Sequence, residues 1–153
     1  MGISLYYDTQ SSLTSDARRA VRDAAELEVG GDQTWSCESF MFYEDDDDTE
    51  GLSGSSKVFL SGDTVEFADD AVMAWRDTTR ILKLLQCLAL GHNVFWNVQL
   101  EDESFGQITG GDGNSAAFEK TNELLPIAGL DPTDPSLGER ISQIDQLHAD
   151  RWQ

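Results

Sequence analysis

The stretch from Asp69 to Leu100 limits what this chain can fold into more than any other. An apolar pattern at helical spacing runs from the Asp69–Asp70 pair to Leu90. Gly91 and Asn93 stop it, and Val94 to Leu100 follow at once with the alternation of a strand. A long buried helix must therefore hand the chain through a short turn into a sheet. Val72, Trp75, Thr79, Leu82 and Gln86 trace one row of that helix, and Ile81, Leu84, Leu85 and Leu88 another. Its second half is apolar nearly all round, which predicts cover on more than one side. Leu84, Leu85, Leu88, Trp96 and Val98 are expected in the core.

The rest of the first hundred residues supplies partners for this unit. Ile3 to Tyr7 alternates as a strand. Leu13-Thr14-Ser15-Asp16 offers a capping hydroxyl and an acid in a first helical turn. Leu13, Ala17, Ala20, Val21, Ala24 and Leu27 then form an apolar face, with Arg22 and Glu26 paired on the other, before Gly30-Gly31 ends the helix. Trp35 to Tyr43 reads as a second strand, apolar on both faces. Lys57 to Leu60 reads as a third, and Thr64 to Phe67 as a short extra one. Gly51 to Ser56 is expected to be flexible loop.

The order is β-α-β-β-α-β, which resembles that of the ferredoxin-like split βαβ fold. The expected class is α+β: a ferredoxin-like core over residues 1–103, an antiparallel sheet with two helices on one face. A C-terminal extension over 104–153 adds two short helices, one capped by Ser115 and one by Ser136, in a single domain. That extension, or a second copy in a homodimer, is expected to cover the open sheet face. At 153 residues the chain can bury about 70% of its unfolded surface and needs no disulfide framework or structural metal. Cys37 and Cys87 are expected as buried reduced thiols.

Charge bears most directly on function. Twenty-nine Asp and Glu oppose ten Lys and Arg, a net of −19. Such a surface repels nucleic acid and anionic lipid and attracts basic proteins. It also suits a saline medium, where screening shortens repulsion. No signal peptide and no apolar run of membrane-spanning length is present, so the expected location is the cytoplasm. Glu44, Asp45, Asp46, Asp47, Asp48 and Glu50 place six acids in seven positions. They are the candidate partner-binding residues.

Catalytic, metal and nucleotide motifs fail in turn. An EF-hand loop started at Asp46 meets Lys57 at position twelve, where a bidentate Glu is needed. Gly51 to Lys57 lacks the second glycine of a phosphate loop and leads into a strand. Gly111 to Ala116 fits G-x-G-x-x-A, but no convincing strand precedes it. No cofactor, no metal ligand set and no catalytic residue is assigned. The expectation is a non-enzymatic binding or regulatory module, inhibitor- or immunity-like, for a basic protein. The alternatives are a divalent-cation binder using the acidic loop, and a small enzyme with a site near His92, Glu101 and Asp102.

Overall fold

A computed structural model describes residues 2–9, 12–29, 40–43, 51–60, 67–111 and 114–151. The described residues form β1 (Gly2–Thr9), α1 (Ser15–Val29), β2 (Ser53–Leu60), α2 (Phe67–His92), β3 (Trp96–Leu100), β4 (Glu103–Ile108), α3 (Ser115–Asn122) and α4 (Leu137–Arg151), with a 3-10 turn at Leu125–Ala128. The class is α+β. The strands make one antiparallel sheet in the order β2-β1-β3-β4. Leu5, Tyr7, Val58, Trp96 and Val98 of the sheet share one core cluster with Val21 and Ala25 of α1 and Ile81, Leu85 and Leu88 of α2. Both helices therefore lie on the same face, and Leu84, Leu85, Leu88, Trp96 and Val98 are buried as expected.

The strand expected over Trp35–Tyr43 is not seen where the chain is described. Residues 40–43 are in no strand, and 35–39 lie outside the described residues, as do 64–66 of the short extra strand. The reason is a side chain. The Tyr7 hydroxyl accepts the Met41 N–H at 3.0 Å, donates to the Met41 carbonyl at 2.8 Å and lies 2.9 Å from Ser56 Oγ. It serves as the hydrogen-bonding partner that a neighbouring strand would have supplied. The tyrosine ring stacks on Phe40 at 4.7 Å, and Phe42 stacks on Trp96 at 5.6 Å, so the segment is strapped over the inner face of the sheet.

The strap also explains why β2 begins at Ser53 rather than Lys57. A Cβ on Gly54 would collide with the Met41 carbonyl and the Tyr7 ring. Small residues are required there, and the Gly51–Ser56 run that looks like flexible loop is strand from Ser53 onward.

α1 is capped by Thr14, whose Oγ1 accepts the Ala17 N–H at 3.1 Å. Its buried stripe is turned from the expected one. Arg18, Val21 and Ala25 face inward, while Ala20 is exposed and Leu27 is 83% exposed. Arg18 can lie inward because its long aliphatic stem packs like an apolar side chain. Arg22 does not pair with Glu26. Its Nη2 donates to the Tyr43 carbonyl at 2.7 Å, with the guanidinium carbon 5.8 Å from the Phe42 centroid.

α2 starts two residues before Asp69 and ends at Asn93, which takes a φ of +54°. Its burial is the reverse of the expectation. From Ala71 to Thr78 every residue is buried except half-buried Trp75, whereas Lys83, Cys87 and Leu90 give the second half a solvent stripe. Cys87 is accordingly exposed, not buried; Cys37 lies outside the described residues. The cover on the first half is the C-terminal extension. Val72 and Met73 pack with Leu125, Leu137 and Ile144, and Ala71 and Ala74 pack with Leu124. Trp75 Nε1 donates to Asn122 Oδ1 at 2.8 Å. The extension thus supplies β4 to the sheet edge and packs its helices on α2 and, through Ala117 of α3, on the main core cluster.

Polar groups join this packing. Arg76, 5% exposed, binds both carboxylate oxygens of Asp145 on α4, at 2.7 and 2.6 Å, and its Nε donates to Asp77 at 3.0 Å. Nearby Arg80 is held below the usual guanidinium range by burial and by the Arg76 charge; Asp77 and Asp145 offset part of this.

A tight hairpin joins β3 to β4, with Glu101 at a φ of +50° in its first turn position. The left-handed backbone costs a non-glycine residue about 1–2 kcal/mol. Bonds to β1 oppose that cost: Glu101 Oε1 accepts the Ser4 N–H at 2.7 Å, and the Glu101 N–H donates to the Ser4 carbonyl at 3.0 Å. β4 itself carries a bulge at Gly106, where φ is +91°.

Candidate binding face

With both core helices on one side, the other side of the sheet is fixed by alternation. On β1, Leu5 and Tyr7 point inward, so Tyr6 and Asp8 point out. On β3, Trp96 and Val98 point inward, so Asn97 and Gln99 point out. The register then sets neighbours across strands. Tyr6 lies between Ser55 of β2 and Gln99 of β3, and Asp8 lies between Ser53 and Asn97. Tyr6 and Asp8 are two residues apart on one strand, about 7 Å.

Tyr43 adds a second aromatic to this face. Its backbone N–H donates to the Ser53 carbonyl at 2.9 Å, and its carbonyl takes the Arg22 guanidinium, so the residue is held by both β2 and α1. From there its side chain reaches the outer face, where the hydroxyl donates to Ser55 Oγ. Ser55 therefore touches one tyrosine and sits directly across from the other. The result is a hollow of about 440 Å³ lined by Tyr6, Asp8, Tyr43, Asn97, Gln99 and Ser104, among others.

This hollow is rich in acceptors. Asp8 can only accept when ionised. The Gln99 amide NH2 donates to the Glu101 carbonyl at 2.6 Å, and its oxygen is an acceptor in the lining. Two half-exposed tyrosine rings supply flat, electron-rich surface. Lys57 shares this side of β2, but stands opposite Ser4, away from Asp8, and is already engaged. A second hollow, about 300 Å³, lies between α1 and the Phe40–Phe42 strap. Arg22, the one cation among the described residues that line it, is committed to Tyr43.

Glu44, Asp45, Asp46, Asp47, Asp48 and Glu50 lie outside the described residues, but both ends of their loop are described. The chain leaves at Tyr43 and returns at Gly51. Leu52 is then tied to Thr9, its N–H donating to Thr9 Oγ1 at 3.0 Å and its carbonyl accepting the Thr9 N–H at 2.9 Å. The acidic loop is thus rooted at the end of β1 that carries Asp8.

His92, Glu101 and Asp102 are not brought together. His92 ends α2 before β3, while Glu101 and Asp102 form the turn after it, and all three are exposed. Glu101 is occupied in holding its turn to Ser4. Among the described residues, no three His, Cys, Asp or Glu side chains converge to hold a metal ion, and no helix is long and apolar enough to cross a membrane.

Tyr6, Asp8, Tyr43, Asn97 and Gln99 were not among the sequence candidates. Alternation alone marks Tyr6, Asp8, Asn97 and Gln99 as outward. Joining them needs the β1–β3 pairing, which no local signal carries. No family model, curated protein or solved structure matches this chain, so its function must be argued from this face.

Proposed function

We propose that the protein is a non-enzymatic binding module, inhibitor- or immunity-like in type, that engages a basic protein partner in the cytoplasm. One observation carries this reading: a sheet face that the described residues leave open, rich in acceptors, with two tyrosines and Asp8, at the root of a loop with six acids in seven positions. A net charge of −19 would steer a cationic partner toward the molecule, and the face gives it somewhere to dock. We further take the core as ferredoxin-like. Residues 40–43 would stand for its second strand and β4 would be an addition beyond β3; the Tyr43–Ser53 backbone bond supports this.

The test is a titration of labelled basic, neutral and acidic peptides of equal length, followed by fluorescence anisotropy. The basic peptide should bind, weaken with added salt, and weaken again when Asp45 to Asp48 are all changed to Asn. Equal binding of the three peptides would overturn the proposal.

A further inference from the structure

We infer that the open sheet face selects arginine over lysine in its partner, a reading that rests on the basic-partner proposal above and names its chemistry. The occupant is an extended segment bearing an arginine whose guanidinium lies on the Tyr6 ring and pairs with Asp8.

Three features of the hollow point to this. First, its lining offers a charged acceptor, the Asp8 carboxylate, and beside it the Gln99 amide oxygen, whose NH2 group donates to the Glu101 carbonyl. A guanidinium is the side chain with most donors, five, and no acceptor. Second, Tyr6 is 42% exposed and sits mid-strand, its backbone held between Ser55 and Gln99. Planar guanidinium stacks on such a ring, whereas an ammonium meets it as a strongly hydrated point charge. Third, Asp8 lies about 7 Å along the same strand and face. A group centred over Tyr6 can thus turn its donor edge to the carboxylate and bind it through two parallel bonds. Lysine could satisfy the charge but not the stack and the paired bonds together.

The experiment compares two labelled peptides of identical length and charge, four arginines or four lysines spaced by Gly and Ser, on the full chain. The wild type should bind the arginine peptide about tenfold more tightly. Tyr6→Leu keeps apolar area but removes the π face, and Asp8→Asn keeps shape but removes the charge. Each should cut the preference to about twofold or less; Tyr6→Leu should leave the lysine peptide within about twofold of its wild-type affinity, whereas Asp8→Asn should weaken both peptides, the arginine one more. Circular dichroism of both variants establishes that the fold is kept, and Asp8→Asn stands as the second test should Tyr6→Leu be unstable. Equal wild-type affinity for the two peptides would overturn arginine selection and leave the basic-partner proposal standing. Failure of both peptides to bind better than a neutral one would overturn both.

Discussion

Removing one oxygen atom should loosen the strap over the sheet. In Tyr7→Phe the ring remains, so its stacking on Phe40 and its burial are unchanged. What goes is the hydroxyl that pairs with both backbone groups of Met41 and touches Ser56. The two bonds to Met41 at about 1 kcal/mol each give about 2 kcal/mol, and Ser56 has a further partner to turn to. Stranding the Met41 N–H and C=O in a dry site would add more, but Met41 is itself exposed, so water can replace part of the loss. For a domain near 150 residues, this corresponds to a fall in Tm of about 4–8 °C. Thermal and urea unfolding measure the total. Hydrogen exchange at the Met41 amide reports where it acts, and should quicken far more than at amides in α2. Ser56→Ala removes only one contact of the same hydroxyl and should cost about half as much. A fall below about 1 °C, with Met41 exchange unchanged, would refute the argument that this hydroxyl replaces a strand.

Other perturbations test other joints. Asp145→Ala leaves the 5%-exposed Arg76 guanidinium without its α4 carboxylate and should cost about 2–4 kcal/mol by urea unfolding, whereas Asp145→Asn, which keeps an acceptor oxygen, should cost less. Glu101→Ala loses the bond to Ser4 yet keeps the left-handed strain, whereas Glu101→Gly loses the bond and relieves the strain. Calorimetry should therefore rank wild type, then Gly, then Ala, with Gly above Ala by about 1 kcal/mol. The Ser136 hydroxyl and N–H hold the Asp134 carboxyl below its ordinary range. A depressed carboxylate stabilises the fold above its unfolded value, near pH 4, and that contribution is lost as pH falls through the folded value. Asp134→Asn should flatten the acid limb of stability below about pH 4, measured by unfolding across pH.

Where local chemistry decides, the sequence was readable. Thr14 caps α1, Asn93 ends α2, and the five residues expected at the centre of the core are there. Where a distant group decides, it was not. Trp35–Tyr43 has the apolar content of a strand, but Tyr7 and Gly54 determine that its described part is a strap. β4 was missed because the bulge at Gly106 breaks the period-2 pattern that identifies a strand. Arg18 joins the buried stripe of α1 through its aliphatic stem, which a pattern of apolar residue types does not count. The candidate face shows the same division. Alternation sends Tyr6 and Gln99 outward, but only the pairing of β1 with β3 makes them neighbours.

The late arrival of α4 matters when the chain is made. Arg76 meets Asp145 across 69 residues, which a ribosome takes about 3–14 s to add. Until Leu124 and Leu125 are made the first half of α2 lacks its apolar cover, and until Asp145 is made Arg76 lacks its α4 carboxylate. A nascent chain halted after β4 would present Val72, Met73 and Arg76 to the medium together. Such a fragment should be held by chaperones or aggregate, so ribosome pauses between codons 109 and 145 should lower the yield of folded protein more than pauses before codon 67.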